Sequence, residues 1–272
     1  MESYFSSKPI AVINSYEDKL KKTILKFTQY ILVLLPVFSF SYEKGISVVI
    51  PCYYKHFDEL NELLDAYASQ TQRPDEVVIS LSEANKVDTK EIEKLRNSSW
   101  PFLVQLIQSS NRYFAGENRN IGVGNAKYEL VILQDADDLP HPQRVEIISM
   151  LFDTYDFDHL IHFFNMSTEE TSQQRTWKLY DRKYVLKKAV FMGNYDSLYS
   201  QRWRRKNSLP HNGNIAIKRS IFEDVSWTGI REGEDEQFNR KIYATSNKCL
   251  FVRLPLVNYR YYKTSEEDRK IP

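Results

Sequence analysis

The strongest constraint in this sequence is an alternation of two periodicities. Apolar runs rich in Val and Ile occupy 46–50, 75–80, 102–107 and 128–133. Between the first two, residues 57–69 place Leu60, Leu63, Leu64 and Tyr67 at helical spacing, and 88–96 and 115–126 also read as helices. Strands that are apolar at nearly every position, rather than at every second one, are buried on both faces. Strand and helix alternating at this spacing predict an α/β fold with a mainly parallel central sheet flanked by helices. Such a sheet binds ligands beyond the carboxyl ends of its strands. Pro51 is read as the end of the first strand.

The second half is less regular. Strands are expected at 159–164, 213–218 and 249–253, and a helix at 234–244. Residues 165–212 are polar, aromatic and basic without clear periodicity. Residues 1–44 read as an N-terminal extension. A helix starts near Glu17 and Asp18, with Leu20, Ile24, Phe27 and Ile31 on one face. The apolar run 30–40 follows Lys19, Lys21, Lys22 and Lys26. It is about half the length a membrane-spanning helix needs. Pro36 interrupts it, and it begins too far from Met1 for a standard signal peptide. The expectation is a helix and a strand packed on a cytoplasmic domain, with peripheral membrane contact through this extension as the alternative.

A net charge of +1 over 272 residues gives no global field that would favour nucleic acid. Cys52 and Cys249 sit in apolar runs and read as buried reduced thiols. No C-x-x-C pattern or Cys/His cluster suggests a metal site built on sulfur.

Chemistry concentrates in two acidic clusters. Asp135, Asp137 and Asp138 follow the fourth apolar run, where the sheet is expected to open. Like charges so close repel one another, and a divalent cation offsets that cost. Mg²⁺ and Mn²⁺ prefer hard oxygen ligands, and one or two carboxylates commonly share Mg²⁺ with substrate phosphates. In an extended segment Asp135 and Asp137 would face the same way. The plainer reading is a solvated turn in which Asp138 caps the next helix and His141 lies on the surface at the start of that helix. The second cluster, Glu232, Glu234, Asp235 and Glu236, surrounds Gly233 at a helix start. The macrodipole favours acids there, but a glycine also lets the backbone approach a ligand closely. Asp235 is the candidate to take a proton from an acceptor hydroxyl, and Glu234 the candidate to bind sugar hydroxyls.

These residues together resemble glycosyltransferase family 2, over about 46–265. The opening strand through Pro51, the Asn118-Arg119-Asn120 helix running into Asp135-Ala136-Asp137-Asp138, and His141 to Arg144 carry the resemblance. Gly213-Asn214 with Ile217-Lys218-Arg219, followed by Gly233-Glu234-Asp235, completes it. It implies a GT-A fold, a nucleoside-diphosphate-sugar donor (a UDP-sugar first), Mn²⁺ or Mg²⁺, and inversion at the anomeric carbon. It also implies a nucleotide-sugar half at 45–140 and an acceptor half at 141–272, with a glycan, glycoprotein or glycolipid as acceptor. By this analogy Asp137 ligates the metal, Asp135 contacts ribose or metal, and Asp235, assisted by Glu234, supplies the base. Arg260 would contact phosphate, and Arg119 would do the same or brace the acidic loop.

The pattern departs from the family at three places. Ser80 to Glu83 replaces the usual Asp-Asp-Gly-Ser, so Ser82 or Glu83 would stand where an Asp reads the nucleobase. A C-terminal His of the metal site is missing; Lys263 there would neutralise diphosphate directly. Tyr53 follows Pro51 where small residues are usual, and a ring there would stack on the base. Trp203 and Arg204, in the basic aromatic segment, suit an acceptor surface together with Asn214 and Gly233. Nucleotidyl transfer would need a glycine-rich loop after the first strand, and 51–56 has no glycine. The competing reading is a module that binds glycan or nucleotide-sugar without turnover.

Overall fold

The computed structural model describes residues 42–167, 176–192, 211–231, 233–246 and 248–260. The first four strands are β1 (Glu43–Tyr53), β2 (Glu76–Ser82), β3 (Leu103–Gln108) and β4 (Tyr128–Leu133). Five more follow: β5 (Leu139–Pro140), β6 (His159–Met166), β7 (Ala189–Phe191), β8 (Ile215–Lys218) and β9 (Cys249–Tyr259). The described helices are α1 (Leu60–Ala68), α2 (Thr89–Asn97), α3 (Ala115–Asn125), α4 (Arg144–Thr154), α5 (Arg182–Lys188) and α6 (Glu234–Ser246).

All nine strands join one sheet in the order β3-β2-β1-β4-β8-β6-β9-β5, with β7 paired to β9. The half from β3 to β4 is parallel, as expected. Beyond β4 the sheet is mixed, because β8 enters antiparallel to both β4 and β6. Two buried layers flank the sheet, which is why the strand sequences do not alternate. Val48, Ile50, Ile79 and Ile132 pack with Leu63, Leu64, Tyr67, Ile148 and Leu151 on the α1/α4 side. Val49, Val78, Val131 and Leu133 pack with Val123, Ile217, Phe238 and Ile242 on the α3/α6 side. Full burial of each such aliphatic chain contributes about 1.5–3 kcal/mol. Cys52 and Cys249 are buried free thiols, in agreement with expectation.

Several boundaries move. β1 begins at Glu43, two residues before the expected start of the domain, and does not end at Pro51 but pairs with β2 through Tyr53. Proline is tolerated there because the odd-numbered residues of β1 face β4. That strand stops at Leu133, and Gln134 donates to the Val49 carbonyl, so no partner waits for an N–H at Pro51. β9 runs to Tyr259 through Pro255, at a register shift against β6. α5 and the short β7 fall inside a stretch read as irregular; seven- and three-residue elements carry too few periodic positions to register. Among the described residues no helix is long and apolar enough to cross a membrane. The helix and apolar run expected within 1–41 lie outside the described residues.

Arg144 on α4 is fully buried and locks both halves together. Nε donates to His162 Nε2 (3.2 Å), Nη1 to Tyr67 Oη (3.2 Å) and Gln134 Oε1 (2.5 Å). Nη2 donates to the carbonyls of Leu133 (2.7 Å) and Gly213 (2.8 Å). Arg144→Leu removes the donor to His162 and to the Leu133 and Gly213 carbonyls, leaving Gln134 Oε1 only its Tyr67 Oη donor (3.0 Å), and should cost about 3 kcal/mol of unfolding free energy in urea titrations. A loss below about 1 kcal/mol would mean the network contributes little.

Candidate functional site

β1, β2 and β4 end at a cleft of about 610 Å³. The chain leaves β4 through Gln134, whose amide nitrogen donates to the carbonyls of Asp135 (2.9 Å) and Asp138 (3.2 Å). The Asp138 N–H donates to the Asp135 carbonyl (3.3 Å), closing a four-residue turn. The expected extended segment is thus replaced by a turn, yet Asp135 and Asp137 both line the cleft. Asp138 points inward instead and is almost fully buried. Its carboxylate accepts the Arg260 N–H (2.8 Å), so it ties the turn to β9 rather than capping a helix. Burial, then Asp137 and Asp135, push its carboxyl well above the usual range.

His141 is not on the surface. It is fully buried, its Nδ1 accepts from the Gln143 N–H (3.0 Å), and its ring stacks on Tyr180 (5.2 Å). Arg260 is also put to a different use from the one expected. Its Nε donates to the Asp137 carbonyl (2.5 Å) and Nη1 to Glu62 (2.6 Å), so it holds the acidic turn from behind. Asn214, expected at the acceptor, is buried beneath the site with its amide on the His162 carbonyl (2.5 Å).

Arg119 connects the two acidic clusters. α3 delivers it almost fully buried, with Nη2 on Asp135 (2.8 Å) and Nη1 facing Glu234 (3.4 Å) and Asp235 (3.3 Å). Burial pulls its pKa down, but Asp135, Asp235 and Glu234 outweigh that and raise it overall. α3 itself is fastened by Asn118, which accepts from Ser80 Oγ (2.5 Å) and donates to the Cys52 carbonyl (3.1 Å).

Glu234 and Asp235 occupy the first turn of α6, directly after Gly233. Gly233 has φ +82° and open space where a side chain would stand, so the chain enters the helix along the cleft wall. Burial, then Asp235, push Glu234 up to about 7, against the pull of Arg119. Asp235 Oδ1 also accepts from the Asn212 amide, and Oδ2 lies 3.8 Å from His211 Nδ1. Gly213 is required by close approach: a Cβ there would lie 2.5 Å from Asp135 Oδ2. Gly213→Ala should therefore displace the Asp135 side chain and cost about 1–3 kcal/mol of unfolding free energy in urea titrations, while unchanged stability would show that Asp135 can yield at no cost.

On the β1/β2 side, Pro51, Tyr53, Ser82 and Arg112 line the cleft. The Tyr53 ring carries Arg112 at 5.4 Å, and burial, then a bond to Glu83, push its hydroxyl up to about 12. Glu83 (φ 53°) is engaged by Lys86 at 2.5 Å. His56 lines the cleft near Asp137. Burial raises the Asp137 carboxyl, His56 counters, and Asp135 adds to the rise. Sequence reading missed His56, Arg112 and Asn212 as site residues. The available signal was position: each lies just past a strand's carboxyl end or just before Gly213. Trp203, Arg204 and Lys263 lie outside the described residues.

Asp135 and Asp137, both lining the cleft, offer the hard carboxylate oxygens that a small divalent cation prefers. Among the described residues no third His, Cys, Asp or Glu completes a protein-only cluster.

The family model described as Glycosyl transferase family 2 matches residues 47–226. The chain belongs to this family. Among curated proteins it is 24% identical over 220 residues to Glycosyltransferase GlyA of Streptococcus pneumoniae serotype 4, covering 81% of this chain and 31% of that one. Among solved structures it is similar to S. aureus TarS 1–349 in complex with UDP-GlcNAc. There the TM-score is 0.61 at 19% identity, covering 85% of this chain and 62% of that one. It is also similar to glucosyl-3-phosphoglycerate synthase from Mycobacterium tuberculosis, solved with Mn²⁺, UDP and glucosyl-3-phosphoglycerate. That match has a TM-score of 0.54 at 14% identity, covering 83% of this chain and 74% of that one. These likenesses identify the family 2 chain as a GT-A fold. It spans about a third of the GlyA length and about three-fifths of the TarS chain.

Proposed function

We propose that this family 2 chain transfers a sugar from a nucleoside-diphosphate-sugar, a UDP-sugar first, to a hydroxyl of a glycan, glycoprotein or glycolipid, with inversion. One observation carries the reading: the Asp135/Asp137 turn and the acidic start of α6 face one cleft and share Arg119. Inversion needs a leaving-group side and a base side in one cavity, and these two clusters supply them. The neighbours solved with UDP-GlcNAc or with UDP and Mn²⁺ support the donor class.

Tyr53 and Ser82 border the nucleotide pocket, with Arg112 over the Tyr53 ring. Asp137, with Asp135, would hold Mn²⁺ or Mg²⁺, which supplies Lewis-acid stabilisation of the leaving diphosphate. Arg119 keeps Asp135 and Asp235 in place. Asp235 takes the acceptor proton at Oδ2, the oxygen that Arg119 and Asn212 leave open. Glu234, driven toward its neutral form, can donate a hydrogen bond to a sugar oxygen.

A thermal-shift screen of UDP-, GDP- and dTDP-sugars with Mn²⁺, followed by donor hydrolysis, tests this. Ligand at 100 times its Kd stabilises by about 2.7 kcal/mol, so the UDP-sugars should give the largest rise. No shift with any donor would sink the reading. The departure at Ser80 to Glu83 favours a second reading, a binding module, which a shift without any hydrolysis or transfer would support.

A further inference from the structure

We infer that His211 is a second proton-handling residue of this site, acting in series with Asp235; the inference rests on the transfer reaction proposed above. The two oxygens of Asp235 are not equivalent. Oδ1 faces Arg119 Nη1 at 3.3 Å and accepts the Asn212 amide. Oδ2 faces Nδ1 of His211 at 3.8 Å. The oxygen that neither Arg119 nor Asn212 engages is therefore the one with an imidazole beside it, and Glu234 also hydrogen-bonds the Asp235 carboxyl.

The ring is held in place. It stacks on Tyr259, with centroids 5.1 Å apart and planes 27° off parallel, and meets Phe164 edge-on at 5.0 Å. It lines the cleft, with about a third of the side chain exposed (36%). Asp235 faces it from α6, Tyr259 from β9 and Phe164 from β6, while Arg231 and Glu234 line the same cleft. A gap of 3.8 Å is beyond a direct hydrogen bond, but distances of this kind commonly tighten when substrate binds.

The acceptor oxygen bonds to the anomeric carbon as the bond to the diphosphate breaks, and the hydroxyl proton passes to Asp235 Oδ2. Left there, that proton would turn Arg119 toward a neutral partner. His211 Nδ1 takes the proton from Oδ2 and becomes imidazolium, the carboxylate opposite Arg119 is restored, and the imidazolium releases the proton to water before the next turnover.

His211→Phe is the decisive variant, because it keeps the ring contacts with Tyr259 and Phe164 and removes only the nitrogens. The expected result is a fall in kcat of about tenfold or more, with the KM for donor and the thermal midpoint unchanged. The pH profile of kcat should change as well, and Glu234→Gln is the control: the change that His211→Phe produces must be absent from it. If His211→Phe turns over within threefold of wild type with the same pH profile, His211 only packs and the inference falls, while the transfer reaction stands. If Asp235→Asn is fully active, transfer stands but the inference falls with the base role of Asp235; if wild type transfers no sugar, the transfer reading falls and takes the inference with it.

Discussion

Asp137→Asn should lower sugar transfer about a thousandfold, about 4 kcal/mol of transition-state stabilisation, and at the same time raise the melting temperature of the ligand-free protein. The two effects have one cause. The Asp137 carboxyl is raised by burial and by Asp135, with His56 only partly countering. A carboxyl whose folded pKa lies above its unfolded value favours folding in its neutral form. Its stability contribution is present below the unfolded pKa and lost as pH rises through the folded one. Above the folded value the charged group therefore costs stability, and the neutral amide removes that cost. The turn should survive, since Arg260 holds the Asp137 carbonyl rather than its side chain. Activity lost with a gain in stability is the pattern of a residue kept for function. Activity assays and thermal melts at pH 7 check it. A destabilised but active variant would assign Asp137 to the fold instead.

Asp235→Asn should lower kcat by about 10²–10⁴-fold, the range for loss of a general base, with nucleotide affinity nearly unchanged. Affinity is spared because Arg119 keeps its shorter contact, 2.8 Å to Asp135, and Glu234 at 3.4 Å. The amide can still accept from Asn212 at its oxygen, and Asn239 still donates to the main-chain carbonyl of residue 235 (2.7 Å). Steady-state kinetics beside calorimetry of UDP separate the two quantities. Equal losses in kcat and in UDP binding would mean that residue 235 supports the donor pocket rather than the acceptor proton.

Much of this architecture is legible in the amino-acid order because the buried sheet imposes it. Runs such as 48–50 and 130–133 are apolar throughout since both faces are covered, and helical spacing of Leu60, Leu63, Leu64 and Tyr67 survives in α1. The acidic clusters are legible for the opposite reason: charge at the end of an apolar strand is out of place unless something answers it. What stays hidden depends on contacts distant in sequence. Nothing near Asp138 announces that it will accept from Arg260, 122 positions on. Nothing near His141 announces that Tyr180 will stack on it or that the Lys178 carbonyl will meet its Nε2. Arg119 had two readings open to it. Only the meeting of α3 with α6 and the turn after β4 supplies it with three carboxylates. Gly213 reads as part of a motif, but its reason is the Asp135 carboxylate packed against it.

We propose that the turn carboxylates and a pyrophosphate share one divalent ion. The most direct test is the affinity of the full chain for UDP, titrated calorimetrically with and without Mn²⁺. Shared coordination predicts that Mn²⁺ tightens binding at least about tenfold, or about 1.4 kcal/mol, and that Asp137→Asn loses the gain. Equal affinity in the presence and absence of the ion would contradict it.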